Sequence, residues 1–263
     1  MSLRGSPLLY VFSDVHGLPR QRELLEEVLG FPVIELEPHL PHHRHGVVKY
    51  DAGDLILSLN LSSPGKFREG ASDGLVTVLA VAPGSTDAVA AYGRLDGGVF
   101  TDPSGHHYLL RQRASSSPAV EELRLTVRDL DESVEWYGDV LDLELTSRDD
   151  NTARFATGSV DLVLDQRAVA VDGGRLRLQT SLIVFYTATL EETHAELSER
   201  GLQLGNAHPA YSDIGGTSRF DDPTGNRLCL YEPSEESLGW GSGPKVLEIA
   251  AGSGRSAVKE GAR

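Results

Sequence analysis

The sequence predicts an α+β protein of two tandem modules, each a pair of strand-helix-strand-strand-strand units whose curved mixed sheets surround cup-shaped cavities. Three observations predict it. The stretch FTDPSGHHYLL at residues 100–110 returns, 120 residues later, as FDDPTGNRLCL at residues 220–230, and both read as a strand, a tight Asp-Pro-Ser/Thr-Gly turn and a second strand. The order of periodic segments ahead of each hairpin also repeats, restarting after the Ser-rich stretch RASSSP. In EELRLTVRD, Leu123, Leu125 and Val127 point toward the helix side by period-two alternation. Glu122, Arg124, Thr126 and Arg128 point the other way, so the second sheet face is free to line a cavity.

Taken in order, PLLYVFSDV is a strand and LPRQRELLEEVLG a helix, with Pro19 near its first position and Gly30 past its end. Leu24, Leu25, Val28 and Leu29 form its apolar face. FPVIELEP, HGVVKYDA and DLILSLNL complete the first unit as three short strands. The second unit runs from GLVTVLAVA through the helix STDAVAAYGRL to the first hairpin, and reads one strand short. AVEELRLTV opens the third unit, followed by the helix DESVEWYGDVL with Val134, Tyr137, Val140 and Leu141 on one side, then DLELTSR, TARFATG and VDLVLDQ. The fourth has QTSLIVFYT, a helix with a capping box from Thr189 to Glu192 that closes at Gly201, then GTSRFDD and NRLCLYEP. The expected boundaries are a first module over 1–113, a linker over 114–118, a second module over 119–233 and a flexible Gly/Ser-rich tail over 234–263, with Trp240 as an anchor.

Composition narrows the function. A chain of 263 residues that is 40% hydrophobic and 24% charged can bury a real core. Its formal charge of -15 repels polyphosphate and anionic lipid, so neither nucleic acid nor a membrane is the expected partner. GDLILSLNL and SLIVFY are strongly apolar but too short to span a bilayer, and read as core strands. Cys229 is the single cysteine, which excludes an intramolecular disulfide, and the first residues lack the apolar run of a signal peptide; the expectation is a cytoplasmic protein. The DGG stretches at Gly97 and Gly173 lack phosphate-loop spacing and read as turns.

LRLTVRDLDESVEWYGDVLDLEL and FDDPTGNRLCLYEP, with LLEEVLGF and FTDPSGHHYLL adding weaker support, resemble the vicinal oxygen chelate superfamily of glyoxalases, bleomycin-resistance proteins and extradiol dioxygenases. The resemblance spans residues 7–233. It implies a cup-shaped site per module, often with a divalent metal held by a histidine or glutamine on a module's first strand and a glutamate on its last. Carried over by position, the first-strand ligand falls on Tyr10 in module one and Glu122 in module two, and the last-strand glutamate on Leu109 and Cys229. Leucine cannot coordinate, and a lone thiol with one carboxylate does not complete a coordination shell. The expectation is therefore no metal and no cofactor. This puts metal-dependent glyoxalase, epimerase or dioxygenase chemistry in doubt.

The expected partner is a small organic molecule, aromatic or polycyclic, sequestered in a metal-free cup as in self-resistance. Tyr10, Phe12 and Tyr186 would supply aromatic walls, Arg124 and Arg128 charge, and Cys229 part of the lining. Two alternatives stay open. One is a metal-independent lyase, isomerase or cyclase in which Glu122, with a raised pKa, or His107 moves a proton. The other is a metal-dependent enzyme with His107, Glu122 and Glu232 as unconventional ligands. Against these stand plain readings: Glu122 and Arg124 as a structural pair, Cys229 as a small hydrophobe, and His39, His42, His43 and His45 as a solvent-facing loop. Monomer and homodimer are both compatible with the pattern.

Overall fold

The structure is a computed structural model that describes residues 3–37, 46–62, 74–114, 117–167 and 180–259. The expectations about His39 to His45 and the Gly173 turn lie outside these residues.

Four units follow one another. The first holds β1 (Leu8–Val15), α1 (Leu18–Glu23, extended by a π-helical turn over Leu24–Val28), β2 (Val33–Glu37), β3 (Val47–Asp51) and β4 (Ile56–Leu61). The second holds β5 (Leu75–Val81), α2 (Ser85–Ala88, extended by a 3-10 turn over Val89–Ala91), β6 (Arg94–Asp96), β7 (Val99–Thr101) and β8 (His107–Gln112). The third holds β9 (Ala119–Thr126), α3 (Leu130–Glu135, extended by a π-helical turn over Trp136–Val140), β10 (Glu144–Arg148), β11 (Thr152–Ala156) and β12 (Asp161–Asp165). The fourth holds β13 (Ser181–Tyr186), α4 (Leu190–Glu199), β14 (Ala210–Ser212), β15 (Gly215–Asp221) and β16 (Arg227–Pro233). Two helices close the chain, α5 (Glu235–Leu238) and α6 (Gly243–Lys259).

The second unit is thus not a strand short. β6 escapes the sequence pattern, as does β14, because each is three residues long and wholly exposed, with no apolar alternation to betray it. Helix starts follow local chemistry. Asp129 caps α3 by accepting the Glu132 N–H at 3.0 Å. The box expected from Thr189 to Glu192 does not form; Glu232, reaching from β16, accepts the Leu190 N–H at 2.7 Å instead.

The described strands make two eight-stranded mixed sheets. One runs β14-β15-β16-β13-β1-β4-β3-β2 and the other β10-β11-β12-β9-β5-β8-β7-β6. Each sheet therefore takes one unit from each half of the chain: β1 lies antiparallel to β13, and β5 antiparallel to β9. The repeated hairpins supply the links within each half. Asp102 accepts the backbone N–H groups of Ser104 and His106 and the Gln21 amide of α1 at 2.6 Å, while His106 donates from Nε2 to the Asp14 carbonyl at 2.8 Å. At the second hairpin Asp222 accepts from Gly225, Asn226 and the Tyr137 hydroxyl, and Asn226 donates to the Thr126 carbonyl at 3.0 Å. The Asp-Pro-Ser/Thr-Gly turn is kept twice because it docks each unit onto the first strand and helix of the unit before it.

The main core lies between the sheets and their helices. Leu123, Leu125 and Val127 enter it from β9 and its end, as their alternation predicts, and Tyr137 and Leu141 meet them from the third unit's helix. Each such side chain contributes about 1.5–3 kcal/mol on burial. A second cluster sits on the opposite face of the first sheet and includes Tyr10, Ile56, Val184, Cys229 and Tyr231, covered by Val246 and Ile249 of α6. Within the segment expected as a flexible tail, the described residues 234–259 form α5 and α6. Gly241 serves close approach: a Cβ there would stand 2.5 Å from the Ile34 carbonyl oxygen.

Candidate ligand cavity

Alternation along β1 sends Tyr10, Phe12 and Asp14 to the inner face of the first sheet. Pairing carries that face outward in rows: Tyr10 stands beside Val184 and Ile56, and Val184 beside Cys229, while Phe12 stands beside Leu182 and Ser58, and Ser58 beside Lys49. Leu238, Trp240, Ser242 and Val246 of the C-terminal segment lie over these rows. Between floor and roof is a cavity of about 470 Å³. That volume falls within the roughly 300–1,000 Å³ range of small-molecule sites.

The floor is aromatic. The Tyr10 and Phe12 rings are 5.1 Å apart, and Tyr231 meets Tyr10 edge-on at 6.0 Å. One wall is a buried ion pair that fastens the roof. Lys49 and Glu35, 8% and 7% exposed, meet at 2.5 Å, and Glu35 also accepts the Ser242 N–H at 2.7 Å. The Lys49 ammonium lies 5.9 Å from the Tyr10 ring centre and 5.7 Å from that of Trp240. At the other end Asp14 accepts from the Asn60 amide and the Ser62 hydroxyl, both at 2.8 Å. Burial pushes the Cys229 thiol up to about 11, against the opposing pull of Arg219, so it stays protonated near neutral pH.

The inner face of the second sheet is built differently. Glu122, 1% exposed, is hydrogen-bonded by Arg124 and Arg154, and the Arg111 guanidinium approaches it at 3.7 Å. Arg154 also holds Asp161 at 2.6 Å, and Arg124 reaches Asp165 at 3.4 Å. Burial raises the Glu122 pKa, but the bonds from Arg154 and Arg124 outweigh it and hold the carboxyl below its ordinary range. The raised value expected of a closed pocket is therefore reversed. His107 bonds Thr101 through Nδ1 at 2.9 Å on the same sheet.

Of the expected site residues, Tyr10, Phe12 and Cys229 line the cavity together. Tyr186 packs against the same cluster without lining the cavity. Arg124, Glu122 and His107 belong to the other sheet, and Arg128 lies exposed beyond the end of β9. The pairings inferred within each half are corrected by the crossed sheets: Tyr10 shares a sheet with Cys229, and Glu122 with Leu109. Neither set fits a divalent ion, since one offers a phenol and a protonated thiol and the other an arginine-bound carboxylate and a leucine. His107, Glu122 and Glu232 do not converge either, because Glu232 caps α4 from the first sheet. Among the described residues no three of His, Cys, Asp and Glu gather in a metal-holding group.

Sequence reasoning missed Asp14, Lys49, Asn60, Arg219 and Arg227. Parity could have found Arg227, which precedes Cys229 by two residues on one strand and so shares its face. The lysine in VVKYD could not be placed without knowing its neighbours.

Comparison with known proteins agrees with this architecture. Residues 119–230 match the family model for the glyoxalase/bleomycin resistance protein/dioxygenase superfamily. A point variant of glyoxalase I from Zea mays superposes with a TM-score of 0.66 at 14% identity, over 94% of this chain and 97% of that one. A Bacillus subtilis protein described as a candidate dioxygenase superposes with a TM-score of 0.65 at 12% identity, over 95% and 96% of the two chains. A search among curated protein sequences finds no match. No helix among the described residues is long and apolar enough to cross a membrane. The third and fourth units thus match the model of the glyoxalase/bleomycin resistance protein/dioxygenase superfamily, and the chain along its length shares the two-module fold of glyoxalase I.

Proposed function

We propose that the protein binds an organic small molecule, aromatic or polycyclic, in the cavity of the first sheet without a metal, as a sequestering or self-resistance protein does. The observation that carries this is the roofed cavity itself, of about 470 Å³ with Tyr10, Phe12, Tyr231 and Trp240 beside its bound polar groups. Flat apolar ligands gain from such surfaces both by burial and by ring contacts. Binding is preferred to turnover because the groups expected to move protons, Glu122 and His107, belong to the other sheet, where both are engaged by neighbours.

A thermal-shift screen with aromatic compounds, run with and without divalent ions, tests the reading. A ligand at 100 times its Kd adds about 2.7 kcal/mol to stability. The expected hits act without added metal and lose their effect in Leu182→Trp, which fills the cavity. An effect that requires a stoichiometric ion, or one that survives in the filled variant, would refute the proposal.

A further inference from the structure

We propose that the ligand is an organic anion, its acidic group held at the cavity rim by Arg219 and Arg227 while its apolar body lies on Tyr10 and Phe12. The inference rests on the binding reading above and adds the charge of the guest. Arg219 stands directly across the ladder from Cys229, and Arg227 precedes Cys229 by two residues on the same strand, so both guanidinium groups belong to one side of the cavity. Both are exposed residues that line the cavity.

The other lining charges are engaged deeper in the cavity wall. Lys49 is matched by Glu35, and Asp14 by Asn60 and Ser62. Asp221 stands across the ladder from Arg227 and can share that guanidinium, which leaves Arg219 as the stronger anchor. The nearness of Arg219 to the cavity wall is visible in its downward pull on the buried Cys229 thiol. In a chain of formal charge -15, two arginines on the rim of an apolar hollow make a local positive field where the general field is negative. A guanidinium fork matches carboxylate, sulfonate or phosphate oxygens with paired hydrogen bonds. Inorganic phosphate alone would leave the aromatic floor unused, so an acidic group on an apolar body suits the whole lining.

Two dyes with a shared body separate the terms: anilinonaphthalene sulfonate carries the acidic group and N-phenylnaphthylamine lacks it. Binding to the full chain is followed by dye fluorescence and by quenching of Trp240, with the native fold checked by near-ultraviolet circular dichroism. The double variant Arg219→Gln, Arg227→Gln should lower the ratio of sulfonate to neutral-dye affinity by about tenfold, the scale of a charge-assisted hydrogen bond. Arg219→Gln alone should account for most of it. An unchanged ratio would overturn the anion proposal and leave the cavity reading intact. If the folded protein bound neither dye, or Leu182→Trp bound both as well as the parent chain does, the cavity reading itself would fall.

Discussion

Tyr10 and Phe12 on β1 occupy the places that Glu122 and Arg124 occupy on β9, 112 residues later, and Cys229 on β16 answers to Leu109 on β8. The backbone plan is the same, yet the two inner faces solve opposite problems. On the first sheet the side chains are mostly apolar, so the face must be covered, and α5 and α6 cover it while leaving a hollow. On the second, a buried carboxylate is satisfied by arginine side chains that are 25% to 34% exposed, so the face is ionic and partly open to water. A duplicated sheet thus becomes a container or a closed ionic surface according to a few inward residues, since the ladder hydrogen bonds do not depend on them.

The largest effect should come from removing the roof. Deleting residues 234–263 strips Leu238, Trp240, Val246 and Ile249 from the first sheet, with an expected loss of about 5 kcal/mol from their burial and of dye binding altogether. Denaturant unfolding and dye titration measure both. A truncated chain that bound dye as tightly as the full chain would end the contrast between a covered apolar face and an ionic one.

Next comes Glu122→Gln, which leaves three guanidinium groups without their central carboxylate. A buried pair broken from one side costs about 3–5 kcal/mol, and the part-exposed arginines place this case near about 3. Dye affinity should not change, because the substitution lies on the other sheet. The pH dependence has a definite sign: a carboxyl held below its ordinary value of 4.5 contributes stability above that pH and loses it as pH falls through the folded value. The acid limb of a stability-pH curve should therefore be shallower in Glu122→Gln than in the parent chain. An unaltered acid limb would show that Glu122 is not held by the arginines.

The smallest effect concerns Cys229. With its pKa raised from 9.0 to about 11, its thiolate fraction at pH 8 is about a hundredfold below that of the unfolded chain, and alkylation should slow by at least that factor. Its contribution to stability is full below pH 9.0 and declines as pH rises toward about 11, because the unfolded thiol ionises first. Mass spectrometry after timed iodoacetamide treatment, native against urea-unfolded, reads the rate. Equal rates would place Cys229 at an open surface rather than in the cavity wall.

Much of this molecule can be read one residue after another. The Asp-Pro-Ser/Thr-Gly turns, the alternation that buries Leu123 and Leu125, and Gly30 past the first helix, whose φ is +79°, all follow from local rules of backbone conformation and burial. The family resemblance implied inner positions for Tyr10 and Cys229, and these two line one cavity with Phe12. The misreadings share a different origin. A raised pKa at Glu122 is the expectation for a closed pocket when only burial along its strand is visible, whereas Arg154 reaches it from a strand 32 residues away. Glycine and serine content alone predicts a mobile C-terminal segment, and carries no trace of the first-sheet surface against which Leu238 and Val246 pack.

The sequence by itself determined four repeated units, their hairpins and the two faces of each strand, because periods of two and of about 3.6 residues are properties of neighbouring residues. Only the tertiary structure decided that the first unit pairs with the fourth and the second with the third, and that the last two helices close one hollow. A strand's edge accepts any backbone of suitable register, so the choice of partner is made by packing across the whole chain and leaves no mark in the pattern of any one strand.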